Sequence, residues 1–169
     1  AVWRAYWNET DILQRTHEER RAVPAALPPL AFEREFSYDE RVTGGELTLG
    51  RELEVGAGTH RLLGGFELLE QRVTQHRDGL QTNLDSGQST STILGESLPV
   101  RDFPRSTTTR SSVFVADSIV SPSGRWRVDP ALRWELDRTT ASPDALLLAD
   151  NPNFVAADTE AGGSRHGSA

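Results

Sequence analysis

The chain has 169 residues, a formal net charge of −7 and a hydrophobic fraction of 36%, enough length for one domain to bury roughly 70% of its unfolded surface. Its longest apolar runs are of the kind seen at residues 145–149, far short of the roughly 20 residues of a membrane-spanning helix. The acids outnumber the 18 basic residues, all of them arginine, which excludes the basic footprint of a nucleic-acid-binding protein.

With no cysteine there is no disulfide framework, no thiol nucleophile and no Cys-type zinc site. There is no methionine and no signal-peptide pattern, and the first residues read as a strand. The chain is therefore expected to be an internal piece of a longer protein.

Residues 2–8, with Trp3, Tyr6 and Trp7, read as the first strand. Residues 9–30 read as a long polar loop, in which Thr16 and Glu19 have capping-box spacing for a short helix over 10–21 or for a polar turn. Pro24, Pro28 and Pro29 end it. Residues 32–55 form the second strand, whose apolar positions switch parity from Phe32, Phe36, Tyr38 and Val42 to Leu47, Leu49, Leu53 and Val55. Side chains alternate strictly in a pleated strand, so a bulge is expected at Gly44 and Gly45.

A Gly-rich tight turn precedes the third strand, residues 60–75, where Leu62, Gly64, Phe66 and Leu68 share a face opposed by Arg61, Leu63, Gly65, Glu67 and Leu69. Residues 77–106 are a second long loop. The fourth strand, 107–120, groups Val113, Val115 and Ile119 with Asp117 as the exception. A Ser-Pro-Ser-Gly turn then leads to the clearest strand, 125–138. Trp126, Val128, Pro130, Leu132, Trp134 and Leu136 take one face, and Arg125, Arg127, Asp129, Arg133, Glu135 and Asp137 the other, the alternation of a sheet between two unlike media. Residues 139–158 form a third long loop, and 159–169 read as a disordered tail.

The fold class expected is all-β: an antiparallel up-and-down meander of about five long strands within residues 1–158. Short turns and long connections alternate along the chain, as in a bacterial transmembrane barrel with short periplasmic turns and longer outer loops. Trp126 and Trp134 lie about eight residues apart, roughly 26 Å of strand, which matches the aromatic girdles of an apolar band about 25 Å tall.

The phrases Arg-Glu-Phe-Ser-Tyr-Asp-Glu-Arg-Val-Thr-Gly-Gly-Glu-Leu-Thr-Leu (34–49), Thr-His-Arg-Leu-Leu-Gly-Gly-Phe-Glu (59–67), Asp-Phe-Pro-Arg-Ser-Thr-Thr-Thr (102–109), Val-Phe-Val-Ala-Asp-Ser-Ile (113–119) and Gly-Arg-Trp-Arg-Val-Asp-Pro-Ala-Leu-Arg-Trp (124–134) carry a resemblance. In this order the chain resembles the barrel of a TonB-dependent outer-membrane receptor, most of all the haem and haemoglobin branch. The resemblance implies energised uptake of haem or a ferric siderophore through a barrel of about 22 strands filled by a plug domain and driven by the TonB complex. It implies a location in the outer membrane, contact with outer-membrane lipid, and no enzymatic activity. Five strands are an open, curled fragment of such a wall, which binds no cofactor of its own and relies on the remaining strands and the plug.

On this reading Leu62, Phe66, Leu68, Trp126, Val128, Leu132 and Trp134 face lipid, while Glu67, Arg127, Arg133 and Glu135 face the lumen. His17 and His76, at or beyond the outer strand ends, are the candidate ligand-binding residues, since imidazole is the usual haem or metal ligand. No metal site at recognisable spacing is expected. His60 follows a tight turn at the inner rim, and His166 lies in the tail. Two other readings stay open. A soluble ligand-binding β-barrel or sandwich would bury Trp126 and Trp134. An outer-membrane barrel enzyme would bring Ser, His and acid side chains together at the outer rim, near His17 or His76.

Overall fold

The structure, a computed structural model, describes residues 1–21, 28–56, 58–150 and 159–167. Its elements in chain order are β1 (Val2–Arg20), β2 (Leu30–Val55), β3 (Gly58–Asn83), β4 (Ser89–Thr90), β5 (Thr92–Ile93), β6 (Glu96–Ser97), β7 (Arg105–Val120), β8 (Arg127–Val128), β9 (Ala131–Ser142), α1 (Ala145–Asp150) and β10 (Thr159–Gly167). One antiparallel sheet runs β1-β2-β3-β7-β9-β10, with β4 on β3 and β8 on β7, while β5 and β6 form a separate hairpin. The sheet is an open meander, with β1 and β10 at its two edges. No described helix is long and apolar enough to cross a membrane.

The register is unbroken. β1 pairs with β2 from Val2↔Thr48 to Arg20↔Leu30, and β2 with β3 from Leu30↔Asn83 to Val55↔Gly58, with no residue skipped. The bulge expected at Gly44 and Gly45 is therefore absent, and the parity switch has another cause. Because the strand does not slip, Phe32 and Phe36 stand on the opposite face from Leu47 and Leu53. The apolar residues change sides because the surroundings change sides along the strand.

The line of residues 127–142 is equally continuous: Ile119↔Val128 and Ala116↔Ala131 belong to one register. It is interrupted at Pro130, which has no N–H to donate but whose carbonyl still accepts from the Asp117 amide at 2.9 Å. The alternating segment 125–138 is thus one strand line, as its pattern requires.

Three expected loops are shorter than the sequence pattern indicates. β1 continues to Arg20, β3 to Asn83 and β9 to Ser142, and the helix or turn considered for 10–21 is strand. These strand extensions carry mostly polar side chains on both faces, so period-two alternation disappears although the backbone ladder continues. Cross-strand pairs such as Arg41–Glu9 at 2.6 Å and Arg15–Glu35 at 2.8 Å take its place. The tail is also corrected: Thr159–Gly167 pairs with β9 from Thr139 to Ala131. An edge strand offers its unpaired N–H and C=O groups to any extended backbone, so a Gly-rich segment can add a strand. Pro24, residues 151–158 and the last two residues lie outside the described residues.

The connections segregate as expected. At one end, here the inner end, Gly56 (φ +57°) serves the β2–β3 turn and Gly124 (φ +65°) the β7–β8 turn, a backbone region that glycine enters freely. The β1–β2, β3–β7 and β9–β10 connections all lie at the other, outer end.

The β3–β7 connection, residues 84–104, folds back as a strap over the face that carries Phe32. Arg77 and Val100 exchange both backbone hydrogen bonds, at 3.0 and 2.9 Å. Phe32, Ile93, Leu98 and Val100 close a small buried core, with Leu30 against it. Gly79 is the landing point, since a Cβ there would come within 2.9 Å of the Ile93 and Leu98 methyls. Phe32 is 1% exposed, so Phe32→Ala should cost about 3–5 kcal/mol. The expected outcome is faster proteolysis within 84–104 while the β2–β3 ladder keeps its amide protection.

Candidate functional site

The strand register sorts side chains onto two faces of contrasting chemistry. On one face, Trp3↔Leu47↔Phe66↔Val113↔Trp134 form a row across five strands, followed by Leu49↔Gly64↔Val115↔Leu132. Leu62, Leu68, Trp126 and Val128 belong to the same face, as does Trp7. Apart from the half-buried Leu47, these large apolar side chains are exposed, from 38% at Leu62 to 74% at Trp3. All four tryptophans of the chain lie on this belt face. Thus the seven residues expected on an apolar outward face do share one face, and Trp126 and Trp134 are not buried.

The belt has definite edges. It runs from the row Leu53↔His60↔Ile119↔Val128 to the row Trp7↔Thr43↔Glu70↔Thr109↔Arg138, where Trp7 is the last large apolar side chain and the other four are polar. That is about ten residues, roughly 33 Å of strand and about 25 Å upright at a tilt near 40°. The next row outward is Glu9↔Arg41↔Arg72↔Thr107↔Thr140, wholly polar. At the inner rim the belt is broken by Arg51 and by His60, which pairs with Asp117 at 2.7 Å.

The opposite, inner face at the same height is a network of charges. Arg4 pairs with Glu46 at 2.7 Å. The Tyr6 hydroxyl donates to Glu67 at 3.3 Å, Arg133 to Glu67 at 2.9 Å, and Arg110 to both oxygens of Asp137 at 2.7 and 2.9 Å. Glu135 lies 3.2 Å from Arg133 and 3.7 Å from Arg110. Tyr6 and Arg133 each reach across an intervening strand to Glu67, so side chains on this face converge, as on the inside of a curled sheet.

Glycines make the convergence possible. A Cβ at Gly44 would collide with the Tyr6 ring, and one at Gly65 with the Leu47 carbonyl and the Phe114 ring. Of the residues expected on the charged face, Glu67, Arg133 and Glu135 are joined here. Arg127 shares the face but pairs apart with Asp129 at 2.8 Å. Sequence reading missed Tyr6, Arg4 and Arg110; the available signal was the glycine pair opposite an aromatic strand.

The histidines are not brought together. His17 pairs across the sheet with Glu33, and His76 with Ser37, both within strands and on the belt face, beyond the belt. The longer strands put both on the parity of the belt face, although His17 is also among the residues lining the cleft at the outer end. His17 meets Glu19 at 3.5 Å and Glu33 at 3.8 Å. His166 falls in β10, whose side chains lie outside the described residues. Among the described residues, the one set of acids with metal-like spacing is Glu9, Asp11 and Asp39, whose ligand atoms lie within 4.8 Å of one another on the belt face.

The outer end of the inner face is roofed by the strap, over a cleft of about 720 Å³ lined by Thr16, Arg34, Gly79, Leu98 and Pro99 among others. Arg77 anchors the strap through Glu96 (3.1 and 2.5 Å) and Asp102 (2.7 Å). Arg101 is 3% exposed; its guanidinium donates to the Gln75 carbonyl and to Asp144 Oδ2, the latter at 3.0 Å. Asp144 also accepts from the Leu147 amide at 3.1 Å, the N-cap of α1.

Burial works to raise the Asp144 carboxyl, but the Leu147 amide and the Arg101 and Arg105 guanidiniums overcome it and hold the group below the usual carboxylate range. A depressed folded value means that Asp144 contributes stability above the ordinary value of about 3.9, and that this is lost as pH falls through the lower folded value. The protection of the 145–150 amides, taken relative to their intrinsic exchange rates, should therefore fall on acidification below about pH 4, and Asp144→Asn should flatten that dependence. No protein-family model matches the chain, and no curated protein matches it.

Proposed function

We propose that this chain forms part of the wall of an outer-membrane β-barrel, with the belt face against lipid and the inner face lining the lumen. The belt carries the proposal. Soluble monomers rarely expose an apolar patch beyond a few hundred Å², whereas here rows of Trp, Phe, Leu and Val from five strands lie side by side and uncovered. Their height of about 25 Å is that of a barrel's apolar band. The opposite face supports the same reading, because its charges pair with each other and suit a wet interior. So does the gathering of every long connection at one end.

On the sequence resemblance, the barrel is that of a TonB-dependent receptor of the haem and haemoglobin branch. It would take up haem or a ferric siderophore, with a plug domain in the lumen and energy from the TonB complex. The wall's task is then passive: to seal the lipid boundary, hold the plug through Glu67, Arg133 and their neighbours, and carry outer segments that meet the ligand. A soluble β-module would need Trp126 and Trp134 inside, yet both are about half exposed. A barrel enzyme would need serine and acid beside His17 or His76; the contacts of His17 are with Glu19 and Glu33, and His76 stands opposite Ser37 in the register without an acid bonded to it among the described residues.

In vesicles containing brominated lipid, the tryptophan fluorescence of the chain should be strongly quenched; unquenched fluorescence overturns the proposal. On opposite faces of the same strand, Phe66→Arg should cost about 2–4 kcal/mol of bilayer stability, while Leu63→Arg, on the inner face, should cost far less. Equal costs in a denaturant titration would mean that the belt face does not meet lipid.

A further inference from the structure

We propose that the strap (residues 84–104) and α1 form one latched unit with Asp144 as its catch, so that displacing either segment frees the other. That the latch sits over the mouth of a lumen rests on the function proposed above; the latch itself does not.

The two segments belong to different connections, β3–β7 and β9 onward, and neither follows the other in the sheet ladder. Asp144 joins them through opposite oxygens. Oδ1 accepts the Leu147 amide and starts α1, whose first turn is closed by Leu148 N donating to the Asp144 carbonyl at 3.0 Å. Oδ2 accepts from Arg101 Nε in the strap at 3.0 Å and lies 3.3 Å from Arg105 Nε at the start of β7.

What makes this a latch is the burial of its parts. Arg101 is 3% exposed and Leu147 and Val100 are each 1% exposed. If α1 leaves, it takes the Asp144 carboxylate with it and strands the buried Arg101 charge, whose remaining partner is the neutral Gln75 carbonyl. A buried cation without its anion is strongly unfavourable, so the strap must lift to hydrate it. If the strap leaves first, the α1 cap loses the cations that hold Asp144 in place. A short helix has little stability of its own. The coupling is reciprocal, as any linkage between two segments must be.

Such a unit gives the outer end two positions. Latched, the strap rests on Gly79 and Phe32 and covers the outer end of the inner face. Unlatched, the cleft beneath it opens. A ligand that displaces α1 from outside would thereby clear the inner face without touching the strap.

Hydrogen exchange of the full chain in detergent micelles tests the coupling. Leu147→Ala is a change within α1, and Arg101→Met a change within the strap. Each should raise exchange about 5- to 100-fold in both 145–150 and 96–104, with the amides of β2 and β3 at the belt unchanged. Leu147→Val should raise both by less. A Leu147→Ala variant that frees 145–150 while 96–104 stays as in the native chain overturns the latch. If that variant loses protection throughout, Asp144→Asn decides, because asparagine still caps α1 but carries no charge for Arg101. Faster exchange in both segments then supports the latch, and an unchanged strap overturns it. Absence of quenching in the brominated-lipid vesicles would remove the lumen and leave the latch to stand or fall on exchange alone.

Discussion

One register, held without a skipped residue from β1 to β3 and carried through β7 to β9, decides what every side chain of this sheet meets. Period-two geometry leaves no intermediate state: a slip of one residue on β3 would exchange Phe66 with Glu67, and Leu68 with Leu69. The belt and the charge network are therefore one constraint seen from two sides. Glycine protects it at the tightest points. Tyr6 can lie flat over Gly44 and reach Glu67 only because no Cβ stands in the way, and that contact pins β1 against β3 across β2.

Along each strand the same register serves two environments in succession. On β2, Leu47, Leu49 and Leu53 lie on the belt face near the inner end, while Phe32 and Phe36 lie on the inner face near the outer end. A strand in a soluble sandwich keeps one core face throughout. This one exchanges its apolar side at Gly44 and Gly45, where the belt stops and the strap begins. The outer half then behaves as ordinary protein in water, with a small core of Phe32, Ile93, Leu98 and Val100 and polar residues on the belt side.

How much of this could be read from the sequence follows from where alternation survives. Residues 125–138 were legible because one side is apolar and the other charged, and their two faces fall as the pattern requires. Residues 9–20 were not, because Glu9, Asp11, Arg15 and Thr16 have polar surroundings on both sides and no period to show. The parity switch in β2 was visible, but its cause was not. A bulge and a change of medium leave the same trace in one strand, and only pairing with β1 and β3 separates them. His17 and His76 could be placed at the outer end but not on a face, since their strands were expected to end before them. The strap was unreadable for a different reason: its core joins Phe32 to Val100 across 68 positions, a tertiary contact without local signal.

The two halves also answer differently to solvent, and this bears on what the outer end can do. Within the chain the apolar area of the belt is left uncovered, so on the function proposed above its stability belongs to the surroundings. The strap and α1 bury Phe32, Val100, Leu147 and Arg101 against the chain itself, and their hold does not depend on the medium around the belt. A rigid wall set by its surroundings can thus carry an outer segment with an independent equilibrium of its own. Because that equilibrium rests on a few side chains rather than on the ladder, the segment can move without disturbing the register on which the sheet depends.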